Sequence, residues 1–156
     1  MSDADVWKIV LTALATLFGG VILFVVGQFL QKFVFETAQE QTKAISEVCF
    51  RLIQYASWYA NPGLRSTDEQ NKQADAASNA LRECASSLQA TTGAIYWYEF
   101  LCSISVVPSR TNVEEAISHL IRISNSMDTG DGRVNREDAD KVYLLLTGRP
   151  RKFIPT

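Results

Sequence analysis

The chain has 156 residues, 21% of them charged, and a formal net charge of −2 at pH 7. This length suits one domain with a single hydrophobic core. The charge balance lacks the clustered positive field of a general nucleic-acid binder, so no nucleic-acid partner is expected. Cys49, Cys84 and Cys102 show neither a Cys-x-x-Cys pair nor a short metal spacing. They therefore predict free thiols in a reducing compartment, with no metal site.

An uncharged run of 23 residues lies between Lys8 and Lys32. About 20 apolar residues are enough for a helix to cross a bilayer, so the run predicts a single transmembrane helix. A cleaved signal peptide would have a shorter apolar stretch and a basic start, whereas Asp3 and Asp5 precede this one. A buried core helix of a soluble protein is the other alternative, but such helices rarely stay apolar on all sides over this length.

The basic residues near the ends of this run predict its orientation. Only Lys8 precedes it, whereas Lys32, Lys43 and Arg51 follow it. The positive-inside rule therefore predicts an outward N-terminus and a cytoplasmic C-terminal domain, which also agrees with unpaired thiols.

The remainder of the chain predicts helices separated by short breaks. The first continues out of the membrane with a 3.6-residue apolar period and ends at Asn61-Pro62-Gly63. The second opens with a capping box, either Thr67 with Gln70 or Ser66 with Glu69. Its apolar and small positions alternate at spacings of three and four, which predicts a seam at the centre of a bundle. This seam comprises Ala74, Ala77, Leu81, Cys84, Leu88, Thr91 and Ile95.

Three further segments complete the predicted bundle. A short apolar helix is expected at about 96–105, and Thr111 with Glu114 predicts the capping box of the next helix. The polar stretch Asp128–Asn135 predicts a loop, and the last helix is expected from about Arg136 to Thr147. The fold class is therefore all-α, a single N-terminal transmembrane helix followed by an up-and-down helical bundle of about four helices. The expected divisions are an anchor at 1–31, a cytoplasmic bundle at 32–148 and a frayed basic tail at 149–156.

Several segments in this order resemble an uncharacterised family of small bacterial membrane proteins with one N-terminal helix. They are the apolar run itself, then 55–63 (YASWYANPG), 80–86 (ALRECAS), 107–112 (VPSRTN) and 120–126 (LIRISNS). The resemblance covers most of residues 5–126. It implies the same architecture and a location in the bacterial inner membrane, and it carries no catalytic residue over to this chain.

One short segment partly matches a calcium-binding loop. Aligned on Gly132, it places Asp131, Asn135 and Asp138 at ligand positions. Met127 and Thr129 then occupy the first and third positions of the loop, so an obligatory carboxylate ligand is missing. The sequence therefore favours a solvated turn, with Asn135 capping the last helix.

The remaining candidate groups are single residues beside apolar faces. His119 is the only histidine and is expected to be half-exposed, without the nucleophile and acid that a catalytic histidine needs. Arg82, Arg110 and Arg122 are candidate ligand-binding residues, which would either join helices or line an anionic pocket. The aromatic cluster of Trp97, Tyr98 and Phe100 is expected in the core, with contact to the membrane surface as the alternative.

These patterns favour a non-catalytic, membrane-anchored interaction or scaffold module with no cofactor. Its expected partners are the lipid bilayer and either a second copy or another protein. The alternative is a membrane-tethered sensor that binds a small anionic or lipid ligand in the bundle through those arginines. An enzyme ranks third, because polar groups that only folding brings together cannot be recognised in a sequence.

Overall fold

The computed structural model describes residues 3–63, 67–128 and 130–151, with the side chain of Ala4 excluded. Helices and their connections account for these residues, and no strand occurs among them, so the all-α prediction is confirmed. The contacts divide the chain into two compact units, with the boundary between Glu36 and Thr37.

The first unit consists of one long helix. Helix α1 spans Asp3–Leu30 and leads into a π-helical turn at Gln31–Phe35. It is long and apolar enough to cross a membrane, a test that signal sequences and some soluble core helices also pass. Its polar hydroxyls are satisfied internally, because Thr12 donates to the carbonyl of Lys8 at 2.8 Å and Thr16 to that of Thr12 at 2.9 Å. The helix therefore exposes few unpaired polar groups.

The second unit contains the remaining helices. They are α2 (Glu36–Gln54), α3 (Ala56–Ala60), α4 (Asp68–Gly93), α5 (Tyr98–Ser103), α6 (Arg110–Ser126) and α7 (Gly132–Thr147). Helical geometry is continuous from Asp5 to Gln54 and is interrupted at Tyr55, which the sequence did not indicate. Helix α3 ends before Asn61-Pro62-Gly63, and Gly63 has a φ of +82°, as expected for a helix-terminating turn.

Side-chain caps fix the starts of three helices. Thr67 accepts a hydrogen bond from the backbone N–H of Gln70 at 3.3 Å, which confirms one of the two predicted caps of α4. Ser66, the other candidate, lies outside the described residues. The predicted Thr111 cap of α6 is wrong, because Ser109 accepts from the N–H of Asn112 at 3.2 Å and the helix begins earlier.

The start of α7 also differs from the prediction. Asp131 caps it by accepting from the N–H of Arg133 at 2.8 Å, so the helix begins at Gly132 and not near Arg136. Gly132 packs closely against α3, since a Cβ there would overlap the carbonyl oxygen of Ala60 and approach Pro62 Cδ to 2.9 Å. The expected loop at Asp128–Asn135 is thus half helix.

The core of the second unit combines long aliphatic side chains with small residues. Helix α6 packs extensively against both α4 and α7. The seam predicted a central position for α4, but α6 is the helix that packs against two long neighbours. The innermost side chains, all fully buried, are Val48, Leu52, Ala77, Leu81, Leu88, Val113, Ala116, Leu120, Ile123, Ala139 and Val142. Burial of this set provides the main driving force for folding this unit.

The C-terminal tail contacts the second unit through Arg151. The guanidinium of Arg151 donates to the hydroxyl of Tyr59 at 2.9 Å and to the carbonyl of Leu52 at 3.4 Å. The Tyr59 hydroxyl in turn donates to that carbonyl at 2.8 Å. The prediction of a frayed tail is therefore wrong at Arg151, and its remaining part, 152–156, lies outside the described residues.

Candidate functional site

A buried carboxylate joins helices α6 and α7. The side chain of Asp138 on α7 is 2% exposed, and Arg122 on α6 donates to both of its oxygens, through Nε to Oδ2 and through Nη2 to Oδ1. This is the two-pronged geometry in which arginine binds a carboxylate most strongly. These hydrogen bonds hold the pKa of the Arg122 guanidinium above its usual value.

His119 lies against the same pair. Its Nδ1 is 3.1 Å from Asp138 Oδ1 and 2.8 Å from Arg122 Nη2, while its Nε2 is 3.7 Å from a carboxylate oxygen of Glu115. One ring nitrogen cannot donate to Asp138 and accept from Arg122 at the same time, so the tautomer decides which contact is a hydrogen bond. The predicted half-exposed His119 is wrong, because only 9% of the residue is accessible.

This three-residue cluster has part of the geometry of a catalytic site. A carboxylate that orients a histidine is the second half of a nucleophile–base–acid triad. The missing half is the nucleophile, since no hydroxyl or thiol hydrogen bonds to His119 in the described part of the chain. What the cluster does show is an ion pair that joins α6 to α7 through a buried carboxylate.

The sequence contains one indication that Asp138 is buried and paired. Asp138 shares one helical face with Asn135, Ala139 and Val142, and a carboxylate in register with apolar residues is either paired or functional. The partner could not be deduced, because Arg122 and Asp138 lie on different helices.

Arg82 has a different set of partners. Its Nη2 donates to Asn125 Oδ1 at 2.9 Å, and its Nε lies 3.4 Å from the hydroxyl oxygen of Ser124. It therefore ties α4 to the last turn of α6. An adjoining pocket of about 260 Å³ contains Arg82, but Asp75 and Asp128 also line it. Two carboxylates against one guanidinium make this pocket a poor site for an anion.

Arg110 stacks on a ring at the other end of α6. Its guanidinium carbon lies 4.8 Å from the centroid of the Tyr98 ring, within the range of a cation–π contact. Arg82, Arg110 and Arg122 thus bind separate groups and do not line a common cleft. The alternative of an arginine-lined ligand pocket gains no support from this arrangement.

The partial calcium motif does not form a ligand loop. Gly132 to Asp138 are helical, and both oxygens of Asp138 are already bound by Arg122. Asn135, which was expected to cap the helix, is 1% exposed, donates to the carbonyl of Tyr59 at 3.0 Å and accepts from the Ser126 hydroxyl at 2.5 Å. The predicted solvated turn is therefore wrong for Asn135 and Asp138. Thr129 lies outside the described residues.

Two surfaces of the second unit expose large apolar side chains. On α2, Phe50 and Ile53 are 56% and 61% exposed. Around α5, several large apolar side chains are each at least half exposed, and we call them together the aromatic face. They are Tyr96, Trp97, Phe100, Ile104 and Val106. Tyr98 is buried as expected, but Trp97 and Phe100 are not core residues. Exposed apolar groups at this density are typical of interaction surfaces.

Comparison of the chain with protein-family models, with curated proteins and with solved structures gives no match.

Proposed function

We propose that the chain is a membrane-anchored, non-catalytic helical interaction module. Helix α1 crosses the bilayer once, and the second unit presents helical surfaces to a partner protein or to a second copy of the chain. The observation that carries this proposal is the exposure of the apolar helix, in whose most apolar stretch no residue is buried inside the molecule. A core helix would be covered by the rest of its own chain, whereas α1 needs lipid or another molecule to cover it.

The finer architecture belongs to the same proposal. We infer that α2, α4, α6 and α7 form the up-and-down bundle of about four helices, which the packing of α6 against both α4 and α7 favours. The basic residues that follow the apolar run favour an outward N-terminus and a cytoplasmic second unit. The resemblance to small bacterial membrane proteins favours the inner membrane.

Cysteine labelling would test this orientation. In intact spheroplasts that make a cysteine-free version of the chain, Asp3→Cys should react with an impermeant maleimide. Ser57→Cys, at an exposed position after α2, should react only after the membrane is permeabilised. The reverse pattern would overturn the orientation while leaving the anchor in place.

The interaction role rests on the uncovered side chains of α2. Phe50 and Ile53 are one helical turn apart, so their exposed apolar side chains lie on the same side of the helix. A photocrosslinking amino acid at Phe50 should capture one recurrent protein, or a second copy, in native membranes. The same amino acid at Lys72, an exposed position on α4, is the control. Equal and unspecific labelling at both positions would overturn the interaction role.

The non-catalytic part of the proposal draws on the Asp138 cluster. His119 and Asp138 have the mutual geometry of a base and its orienting acid, but the guanidinium of Arg122 occupies both carboxylate oxygens. A histidine without a bound nucleophile, and with its acid neutralised by an arginine, is better suited to holding α6 against α7 than to proton transfer.

A further inference from the structure

The side chains of the aromatic face differ in exposure from the core residues on the other side of α5. Trp97, Phe100 and Ile104 recur at helical spacing and are between 53% and 57% exposed. Tyr98 and Leu101, on the opposite side of α5, are 2% and 3% exposed. The segment therefore anchors itself through one side and presents large apolar groups on the other.

The backbone around this face is firmly held. The Tyr98 hydroxyl accepts from Gln41 Nε2 at 3.0 Å and donates to the carbonyl of Pro108 at 2.8 Å. Ser105 has a φ of +60°, a conformation that residues other than glycine rarely adopt. The flanking N–H of Val106 bonds to the carbonyl of Leu101 at 2.9 Å and closes this turn. Ile104 and Val106, on either side of Ser105, are therefore held in exposed positions by a fixed turn.

The chemistry of the face matches the boundary between lipid headgroups and acyl chains. Tryptophan and tyrosine favour that layer because each has an apolar ring and a polar tip. Glu99 is the only charged residue between Ile95 and Ser109, and Arg110 follows at the rim. Transfer of this segment to an interface would therefore desolvate little charge, while a basic group remains available for anionic headgroups.

The covalent chain keeps this face within reach of the proposed bilayer. Gln41, which holds Tyr98, follows the last residue of the uncharged run by ten positions. Even a fully extended chain of that length spans no more than about 36 Å. A surface tethered this closely meets lipid at a high effective concentration.

We propose that the aromatic face binds the surface of the bilayer that α1 crosses, with Trp97 and Phe100 inserted among the headgroups. This inference rests on the proposed membrane anchor. It adds a second lipid contact, made by the helical unit itself. The occupant to which we commit is the lipid interface, and a protein partner or a second copy would be contrary results.

Tryptophan quenching in the full chain would test this inference. The chain contains three tryptophans, Trp7, Trp58 and Trp97, so each can be isolated by changing the other two to phenylalanine. The variants would be reconstituted in vesicles of phosphatidylcholine and phosphatidylglycerol. Brominated phosphatidylcholine quenches from within the bilayer, and acrylamide quenches from water.

The expected result is strong bromolipid quenching of Trp97, at least half of that of Trp7, together with weak acrylamide quenching. Trp58, which packs against the core of the second unit, is the internal control and should not respond to bromolipid. Acrylamide quenching of Trp97 without bromolipid quenching would overturn the inference and leave the anchor intact. Protection of Trp97 from both quenchers would mean a protein cover and would also overturn it. If Trp7 itself does not respond to bromolipid, the anchor and this inference both fail.

A charged substitution gives an independent readout. Phe100→Asp should reduce the bromolipid quenching of Trp97 about twofold or more without changing that of Trp7. Leu144→Asp, at an exposed position on α7 outside the aromatic face, is the matched control and should leave Trp97 unaffected. Equal effects of the two substitutions would contradict the specific role of this face.

Discussion

Apolar side chains of the same types are exposed in the first unit of this chain and buried in the second. Leu17 in α1 is 63% exposed, whereas Leu120 in α6 is completely buried. Both residues lie on regular helices, so the helical backbone alone does not decide burial. What differs is the neighbouring sequence: α6 has most of its apolar side chains on one face, with Ile121 as an exception, and α1 distributes them all round. A one-sided helix can be covered by its own chain, whereas an all-round apolar helix must be covered by lipid or by another molecule.

The largest effect that separates the two units is expected from one substitution made in each. Leu120→Ala should lower the free energy of unfolding of the second unit by about 2–5 kcal/mol, because it leaves a cavity in the core. Leu17→Ala should change that free energy by less than about 0.5 kcal/mol, because Leu17 does not belong to the hydrophobic core of the second unit. Urea unfolding of the full chain in micelles, followed by Trp58 fluorescence, would measure both. A comparable loss from the two substitutions would break the comparison.

The ion pair between Arg122 and Asp138 should give the next largest effect. Asp138→Asn removes the charge that binds Arg122, and it should cost about 1–3 kcal/mol of unfolding free energy. The cost should fall short of that of a wholly buried pair, because the Arg122 side chain is 54% exposed and can be hydrated.

The control for that substitution lies two residues away on the same helix. Asp140→Asn changes a side chain that is 51% exposed and 3.9 Å from Arg151, and it should cost less than about 1 kcal/mol. If Asp140→Asn is as damaging as Asp138→Asn, the joining role assigned to Asp138 is incorrect.

Alkaline pH should weaken the second unit through a buried thiol. Burial raises the pKa of Cys84 to about 11, from an ordinary value of about 9. The folded chain therefore keeps this proton at pH values where the unfolded chain has already released it. The stabilisation is complete below about pH 9 and decreases towards pH 11, by at most about 1.4 kcal/mol per pH unit.

Replacement of Cys84 by a residue that does not titrate isolates this contribution. Cys84→Ala should give a flatter dependence of unfolding free energy on pH between about 9 and 10, whatever its stability at neutral pH. Burial also raises the pKa values of Tyr59 and Tyr98, so a residual decrease above pH 10 is expected in both chains. Identical slopes below pH 10 would show that Cys84 does not contribute.

The smallest effect is expected from a polar side chain in the second unit. Gln41 Nε2 donates to Thr92 and Tyr98, both at 3.0 Å, but its Oε1 is buried without a hydrogen-bond partner among the described residues. Gln41→Leu loses two hydrogen bonds and also removes an unsatisfied oxygen. The net change in unfolding free energy should therefore stay within about 1 kcal/mol. A loss above about 2 kcal/mol would mean that the amide positions α5 more strongly than its contacts suggest.

Local signals in the sequence predicted most helix ends and few of the contacts between helices. The Thr67 cap, the break at Asn61-Pro62-Gly63 and the end of α7 at Thr147 depend on residues close together in the chain. The start of α7 was misplaced because its polar residues look solvated, although Asn135 and Asp138 point into the fold. Their partners, Tyr59 and Arg122, are far away in the sequence and become visible only when the helices pack.

The candidate residues show the same limit. Arg82, Arg110 and Arg122 were singled out because they flank apolar faces, and the structure gives each a partner within the second unit. Sequence spacing could not distinguish a guanidinium that joins helices from one that awaits a ligand. The exposure of Trp97 and Phe100 was equally hidden, because a short segment with apolar residues on most sides has no periodicity that separates its covered side from its exposed side.

The central claim is that α1 lies in lipid while the second unit folds around its own core. Extraction of native membranes with alkaline carbonate is the most direct test of the position of α1. The wild-type chain should stay in the membrane pellet, whereas a variant with Leu17→Arg and Val21→Arg should move largely to the supernatant. Release of the wild-type chain into the supernatant would contradict the claim.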